Sequence, residues 1–167
     1  VSEVFQVNDI QLGDNVNPDI TPLQNGGFAI AWRELYSEQI ISGQIFDAQG
    51  EKVGGHFQVS TTNPHGVDKP SIVTLNNNNF IVTWVSSEDS YIDGNGQYVP
   101  PKWEVYAQIF NEFGNKVGAE FKVNNTTLDD SSKPDVISLG AQGYAIFWKG
   151  ADGNPTPNTH DIYGKIY

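Results

Sequence analysis

Two segments of the chain carry side-chain oxygens at the spacing of a calcium-binding loop. They are Asp93-x-Asn95-x-Gln97 and Asp152-x-Asn154-x-Thr156, with Asp89 and Asp161 near enough in sequence to add charge. Calcium takes about six to eight oxygen ligands, and alternate residues of a tight glycine-containing turn can direct their oxygens inward. The full twelve-residue loop with its terminal Glu is absent, and Asp, Asn and Gly also favour ordinary turns. The segments therefore predict either calcium ligands or plain turns.

A second group of residues has the chemistry of a sugar-binding surface. Tyr91, Tyr98 and Trp103 stand in an Asn-, Asp- and Gln-containing segment that strand pairing does not require. An exposed flat ring can stack on the face of a sugar, while neighbouring amides hydrogen-bond its hydroxyl groups. These residues are candidate ligand contacts, and burial of the rings by the segment itself is the alternative.

Arg33 is the only arginine of the chain, and it lies between Trp32 and Glu34. A guanidinium can bind a carboxylate or sugar hydroxyls through two hydrogen bonds. Arg33 and Glu34 are therefore further candidate ligand-binding residues. The alternative is a local ion pair of Arg33 with Glu34 or Glu38.

The charge of the chain excludes several classes of partner. Its 167 residues include 20 acidic and 9 basic ones, which gives a net charge of −11. A general nucleic-acid binder needs a basic surface to displace counterions, and anionic membranes also attract basic surfaces. No apolar run approaches the ~18–20 residues of a membrane-spanning helix, so membrane insertion is not expected.

Recognisable catalytic motifs are missing from the sequence. There is no cysteine, no Gly-x-Ser-x-Gly elbow and no His-Glu-x-x-His pair. The sequence therefore favours a binding protein over an enzyme.

The elements that must position these residues are β-strands. Apolar residues alternate with period two, as in Phe28, Ile30 and Trp32, and Gly, Pro and Asn interrupt the chain every few residues. Such short aromatic and β-branched runs between turn residues indicate strands. We therefore expect an all-β fold.

Matching residues at regular intervals indicate three repeat units. The tryptophans Trp32, Trp84 and Trp148 each follow by 14 residues one of the prolines Pro18, Pro70 and Pro134. The units are 17–69, 70–133, and 134–167 together with 1–16, with four strands expected in each. The third unit ends before its fourth strand, and Phe5-Gln6-Val7-Asn8 matches the fourth strands that begin at Phe57 and Phe121. The N-terminal strand is thus predicted to complete the last unit, as in ring-shaped β folds that pair their edges.

The unit P-x-I/V-x-x-L…G-F/Y-x-I-x-W…V/I-Y-x-Q-I-F-x-x-x-G-x-x-V-G-x-x-F-x-V-N resembles a repeat of large secreted bacterial proteins, including calcium-dependent adhesins. The resemblance covers nearly the whole chain, although Ser42 stands where the first unit should have Tyr. It implies propeller-blade-like units, an extracellular or cell-surface location, and a carbohydrate or another surface ligand. Fold by itself does not determine function.

Three blades cannot easily close a ring, because propellers have about four to eight. A homodimer could complete a six-bladed ring, the chain could belong to a longer array, or the units could form a closed threefold fold such as a β-prism or β-trefoil. We expect a non-catalytic binding or adhesion module, assisted by calcium. A polysaccharide-active enzyme and a purely structural assembly domain are the alternatives.

Overall fold

The computed structural model describes residues 4–8, 13–35, 39–61, 66–87, 90–99, 101–125, 133–150 and 161–167. Its strands are β1 (Asp14–Pro22), β2 (Phe28–Leu35), β3 (Gln39–Phe46), β4 (Lys52–Gln58), β5 (Val67–Thr74), β6 (Phe80–Ser87), β7 (Tyr91–Ile92), β8 (Tyr98–Val99), β9 (Trp103–Phe110), β10 (Lys116–Lys122), β11 (Asp135–Ser138), β12 (Tyr144–Gly150) and β13 (Asp161–Ile166). One 3-10 turn, Gly140–Gln142, is the helical element of the described residues. The described residues contain no helix long and apolar enough to span a membrane. The predicted all-β class is confirmed.

The strands form three antiparallel sheets in which strands pair in chain order, except that β6 pairs with β9 across the intervening β7 and β8. The first sheet has the order β1-β2-β3-β4, the second β5-β6-β9-β10 and the third β11-β12-β13. The short strands β7 and β8 pair with each other in a separate hairpin. The repeated tryptophans occupy the same place in the three sheets. Trp32 lies opposite Ser42, Trp84 lies opposite Tyr106, and Trp148 lies opposite Tyr163.

Two hydrophobic clusters join the sheets in sequence order. The first cluster contains Ala29, Ile41 and Ile45 from the first sheet and Phe80, Val82, Trp84 and Phe110 from the second. The second cluster contains Ile81, Val85 and Val105 from the second sheet and Val136, Ile146 and Trp148 from the third. Because side chains alternate across a strand, the second sheet packs one face against each neighbour.

The described residues show no third cluster joining the first sheet to the third. A closed threefold fold such as a β-prism or β-trefoil would bury such a cluster, since each of its units contacts both others. Among the described residues the first sheet packs against the second and the second against the third, and how the three units are arranged beyond this stays a prediction.

Two of the repeated prolines, Pro18 and Pro70, lie in bulges of the first strands of the first and second sheets. The pairing register shifts between Val16 and Asp19 in β1 and between Asp68 and Ser71 in β5. The residue before each proline, Asn17 or Lys69, has a φ of 54° or 53°. Proline has no N–H for the ladder and is tolerated where the ladder is interrupted.

The structure differs from the sequence prediction at the N-terminus. The third sheet has three strands among the described residues, and residues 4–8 belong to no sheet. Phe5 instead packs against Phe46 of the first sheet, with ring centroids 5.5 Å apart. The same type of contact joins Phe57 to Phe110 and Phe121 to Tyr167, at 5.2 and 5.5 Å. In both of these pairs, a fourth-strand phenylalanine contacts an aromatic residue of the next sheet. Phe5 contacts the first sheet, so it takes the position of the fourth-strand phenylalanine of a unit that would precede the first.

A buried glutamine ties the fourth strand to the third in two of the sheets. Gln44 Nε2 donates to the carbonyl oxygen of Ile45 at 2.9 Å and to those of Val53 and Gly54 at 3.4 Å. Gln108 makes the equivalent bonds in the second sheet. The corresponding residue of β13 is Lys165, which is exposed.

Candidate functional site

The segment between β6 and β9 contains a small hairpin of its own. Tyr91 lies opposite Val99, and Ile92 lies opposite Tyr98. The sequence predicts a segment that strand pairing does not require, whereas the structure pairs its two ends as short strands. The signal that would have found the hairpin is the pair Tyr91-Ile92 and Tyr98-Val99 on either side of a turn rich in Asp, Gly and Asn.

Asp93 holds the turn of this hairpin. Its Oδ1 accepts the backbone N–H groups of Asn95 at 2.9 Å and Gln97 at 2.8 Å. The hydrogen bond from the Gln97 N–H, followed by that from Asn95, keeps the pKa of the Asp93 carboxyl below its usual value. Asp47 and Asn111 accept the same pair of bonds in the turns after β3 and β9. The geometry of Asp93, Asn95 and Gln97 is thus that of the turns that recur in this fold.

The predicted calcium ligands are only partly within the described residues. Asp89, Asp152 and Asn154 lie outside them, and Asp161 is an exposed residue at the start of β13. The described part of the chain has no group of three or more His, Asp or Glu side chains that could hold a metal ion. Calcium binding stays a prediction from the sequence.

Two substitutions of Asp93 separate its role in the turn from a role in calcium binding. We expect Asp93→Asn to preserve the hairpin, because Asn111 accepts the same two bonds in an equivalent turn. Asp93→Ala removes the acceptor, so amide hydrogen exchange at Gln97 should become several-fold faster. Unchanged exchange in the alanine variant would contradict the turn role. A calcium-dependent rise in melting temperature that Asp93→Asn abolishes would instead identify the carboxylate as a ligand.

The hairpin exposes its aromatic side chains on both of its faces. Tyr91 is 57% exposed, Tyr98 is 64% exposed and Ile92 is 63% exposed. Residues directly opposite each other in an antiparallel pair lie on the same face. Tyr98 therefore shares one face with Ile92, and Tyr91 shares the other with Val99. The two tyrosines belong to one hairpin but to separate contact surfaces.

Trp103 lies in a different environment from the two tyrosines. It begins β9, is half-buried and packs against the second hydrophobic cluster. Its ring also approaches Gly66, where an added Cβ would lie 3.7 Å from Cη2. The structure therefore places Trp103 with the core side chains and not with the exposed surface of the hairpin.

Arg33 joins the first sheet to the second. Its Nη1 lies 3.3 Å from Oδ1 of Asp68 in β5, and its Nη2 donates to Gln39 Oε1 at 2.5 Å. The same carboxylate oxygen accepts the Asn17 side-chain amide at 2.7 Å and the Lys69 backbone N–H at 2.8 Å. The sequence suggested Glu34 or Glu38 as the partner, but the observed partner comes from the next sheet.

The two glutamates that the sequence analysis grouped with Arg33 have no described contact with it. Glu34 is half-buried in β2, opposite Asn15 of β1 and Ile40 of β3. Glu38 lies outside the described residues. The structure thus gives Arg33 a role between sheets and does not group it with the hairpin tyrosines in any described contact.

An apolar cavity that the sequence analysis missed lies between the N-terminal segment and the first sheet. Its volume is about 360 Å³, and its lining includes Phe5, Val7, Ile30 and Trp32. Trp32 faces Ser42 across the strand pair. The signal in the sequence is Ser42, because the equivalent tryptophans stack on Tyr106 and Tyr163, with ring centroids 6.3 and 6.2 Å apart.

A second, more polar cavity lies where the three repeated prolines begin their sheets. Its volume is about 380 Å³, and it is lined by Asn17, Pro18, Lys69, Pro70 and Lys133. The bulges of the first two units and the residue before the third repeated proline therefore border one cavity. The repeated residue–proline pair was the signal for this cavity.

Comparison with solved structures shows a weak structural similarity. No protein-family model and no curated protein matches the chain. The chain is similar to a cryo-EM structure of Morganella morganii TcdA4, with a TM-score of 0.48 and 11% sequence identity. The match covers 95% of this chain and 7% of that chain, so this chain spans a small fraction of the length of that protein.

Proposed function

We propose that the chain is a non-catalytic binding module of a secreted bacterial repeat protein, and that the β7–β8 hairpin contacts its ligand. The ligand class that fits the hairpin best is carbohydrate, or another polar surface ligand with flat apolar patches. The observation that carries the proposal is the exposure of Tyr91, Ile92 and Tyr98 on a single hairpin with a hydrogen-bonded turn.

The chemistry of the hairpin supports a binding role. Exposed large apolar side chains grouped together often mark an interaction surface. A tyrosine ring offers an apolar face for stacking and a hydroxyl for hydrogen bonding. The Asp93 bonds hold the turn before any ligand arrives, which lowers the entropy lost on binding.

The architecture that we propose for the scaffold is a set of propeller-like blades. The first strands of successive sheets lie together, since β5 packs against β1 and β11 packs against β5. The Thr74 N–H of β5 donates to Thr21 Oγ1 of β1 at 3.0 Å, and just beyond these strands Gln24 Nε2 donates to the Leu75 carbonyl at 3.0 Å. Inner strands of neighbouring propeller blades have this arrangement. The proposed extracellular or cell-surface location rests on the family resemblance.

The proposal predicts that the hairpin tyrosines contribute to affinity and not to stability. At least one of Tyr91→Ala and Tyr98→Ala, which lie on opposite faces of the hairpin, should weaken binding to a glycan array by about tenfold or more. The melting temperature should stay close to that of the unchanged chain, because both rings are mostly exposed. The matched control is Phe113→Ala, which removes a ring that is 67% exposed in the turn between β9 and β10.

The same array tests the ligand class and the role of calcium. Loss of binding in chelator, restored by added calcium, would support calcium-assisted recognition. Equal binding by the tyrosine variants and the unchanged chain would exclude the hairpin as the contact. No binding to any glycan would reject carbohydrate as the ligand and would favour the structural assembly role.

A further inference from the structure

An apolar patch on the outer face of the third sheet, which also carries Asp135 and Lys149, is uncovered in the described structure. The side chains that form it are Ile137, Phe147, Ile162 and Ile166, all of them exposed. Ile162 and Ile166 stand at the positions of Ile41 and Ile45 in the first sheet. Ile162 is 76% exposed and Ile166 is 71% exposed, whereas Ile41 and Ile45 are 0% and 1% exposed.

The difference has a direct structural cause. Ile41 and Ile45 are buried because the second sheet covers them with Val82 and Trp84. Val105 of the second sheet, at the position of Ile162, is buried in the cluster formed with the third sheet. In the first and second sheets, this face is covered by the next sheet along the chain. In the third sheet the same face, which carries the two isoleucines, is exposed.

The edge of the third sheet also lacks a partner that the other sheets have. β3 pairs with β4, and β9 pairs with β10. β13 pairs with β12 on one side, and among the described residues no strand pairs with its other side. An edge of this kind is a template for pairing with another strand.

The opposite end of the stack has the complementary features. Residues 5–8 carry the sequence of a fourth strand, and Phe5 packs on the first sheet as Phe57 packs on the second. The apolar cavity of about 360 Å³ lies beside Ile30 and Trp32. Val82 and Trp84, the equivalents of these two residues, are buried in the cluster that contains Ile41 and Ile45.

We propose that the uncovered face of the third sheet binds the first sheet of a second copy of this chain. Residues 5–8 of that copy then pair with β13 as its fourth strand, and Ile162 and Ile166 pack against Ile30 and Trp32 of the copy. This contact continues the two sheet-to-sheet interfaces within the chain, and it goes beyond the proposed ligand contact at the hairpin. A head-to-tail contact of this kind closes into a ring when the rotation permits, and two chains would give six sheets.

The internal pairing fixes the expected register of the contact. Gly43 lies opposite Phe57, and Ala107 lies opposite Phe121. By the same register, Phe5 of the second copy lies opposite Gly164. Gln6 lies opposite Tyr163, as Gln58 lies opposite Ser42.

The first test is the mass of the native particle in solution. Analytical ultracentrifugation over a wide range of concentration should show a dimer or a larger closed assembly for the unchanged chain. The double variant Ile162→Asp/Ile166→Asp should be monomeric and folded, since both side chains are mostly exposed in one copy. The control Ile92→Asp, at a site in the hairpin with 63% exposure, should assemble normally. A monomeric unchanged chain, or normal assembly of the double variant, would overturn the proposal.

A second test uses the absence of cysteine from the chain. A variant with Gln6→Cys and Tyr163→Cys should form disulfides between chains on mild oxidation, whereas the control pair Gln6→Cys and Phe113→Cys should not. A disulfide within one chain would overturn the proposal in favour of closure by the chain's own N-terminal strand. Failure to form either disulfide would also count against the register. Neither result depends on ligand binding by the hairpin, so the two proposals fail independently.

Discussion

Replacing Trp84 by alanine is expected to lower the free energy of unfolding by about 3–5 kcal/mol. Trp84 is fully buried at the interface between the first and second sheets, and its ring stacks near Tyr106 with centroids 6.3 Å apart. Paired strands on both sides limit how far the backbone can collapse into the space. The loss therefore includes both the transfer of the ring and the cavity that it leaves. Urea denaturation measures the change, with an unchanged slope if the denatured state is unaffected.

The equivalent tryptophan of the first sheet provides the comparison for this prediction. Trp32 borders the apolar cavity and faces Ser42, where Trp84 has Tyr106. Trp32→Ala should therefore cost less than Trp84→Ala in the single chain, because fewer contacts are lost. If Trp32→Ala lowers the free energy of unfolding as much as Trp84→Ala or more, packing against a neighbouring sheet is not what makes Trp84 important for stability.

Replacing Asp68 by alanine is expected to lower the free energy of unfolding by about 2 kcal/mol. One carboxylate oxygen of Asp68 receives bonds from Arg33, Asn17 and the Lys69 backbone N–H. Two of these partners belong to the first sheet, so the substitution loosens the contact between sheets. It also leaves the Arg33 guanidinium, with 18% of its side chain exposed, without this carboxylate. The partial exposure of both groups keeps the expected loss below that for a fully buried pair.

A double-mutant cycle with Arg33→Met isolates the ion pair. The two single variants should destabilise the chain by amounts that do not add, because each removes the same Arg33–Asp68 contact. Glu34→Gln is the matched control, and its effect should stay within about 0.5 kcal/mol, as for most surface substitutions. If Arg33→Met instead left stability unchanged and weakened glycan binding, Arg33 would be a ligand residue, as the sequence analysis considered.

The predicted strands agree with the structure where the sequence signal lies within a short segment. Alternation in segments such as 28–32 and 80–84 identified β2 and β6, because one face of each strand must be apolar. The repeated prolines marked the repeat units, whereas the position of Pro18 and Pro70 inside bulged first strands was found only in the structure. The β7–β8 hairpin was missed because its strands have two residues each, which is too short for alternation to be visible.

The site predictions were limited in a different way. The spacing of Asp93, Asn95 and Gln97 fits both a calcium loop and a turn, since both use alternate side-chain oxygens or backbone N–H groups. Exposure separates Tyr98 from Trp103, although no local pattern in the sequence distinguishes the two rings. The tyrosine variants test the sugar contact, and Asp93→Asn tests the role of calcium.

Strand content can be predicted from the sequence because it depends on residue types within a few positions of one another, and the three units can be recognised from residues that recur along the chain. Which faces meet is visible only in the folded chain: Arg33 reaches Asp68, Phe5 packs on Phe46, and Ile162 is exposed where Ile41 is buried. Repeated units offer several equivalent partners for each face and edge. The choice among them depends on long-range packing, which local patterns do not encode.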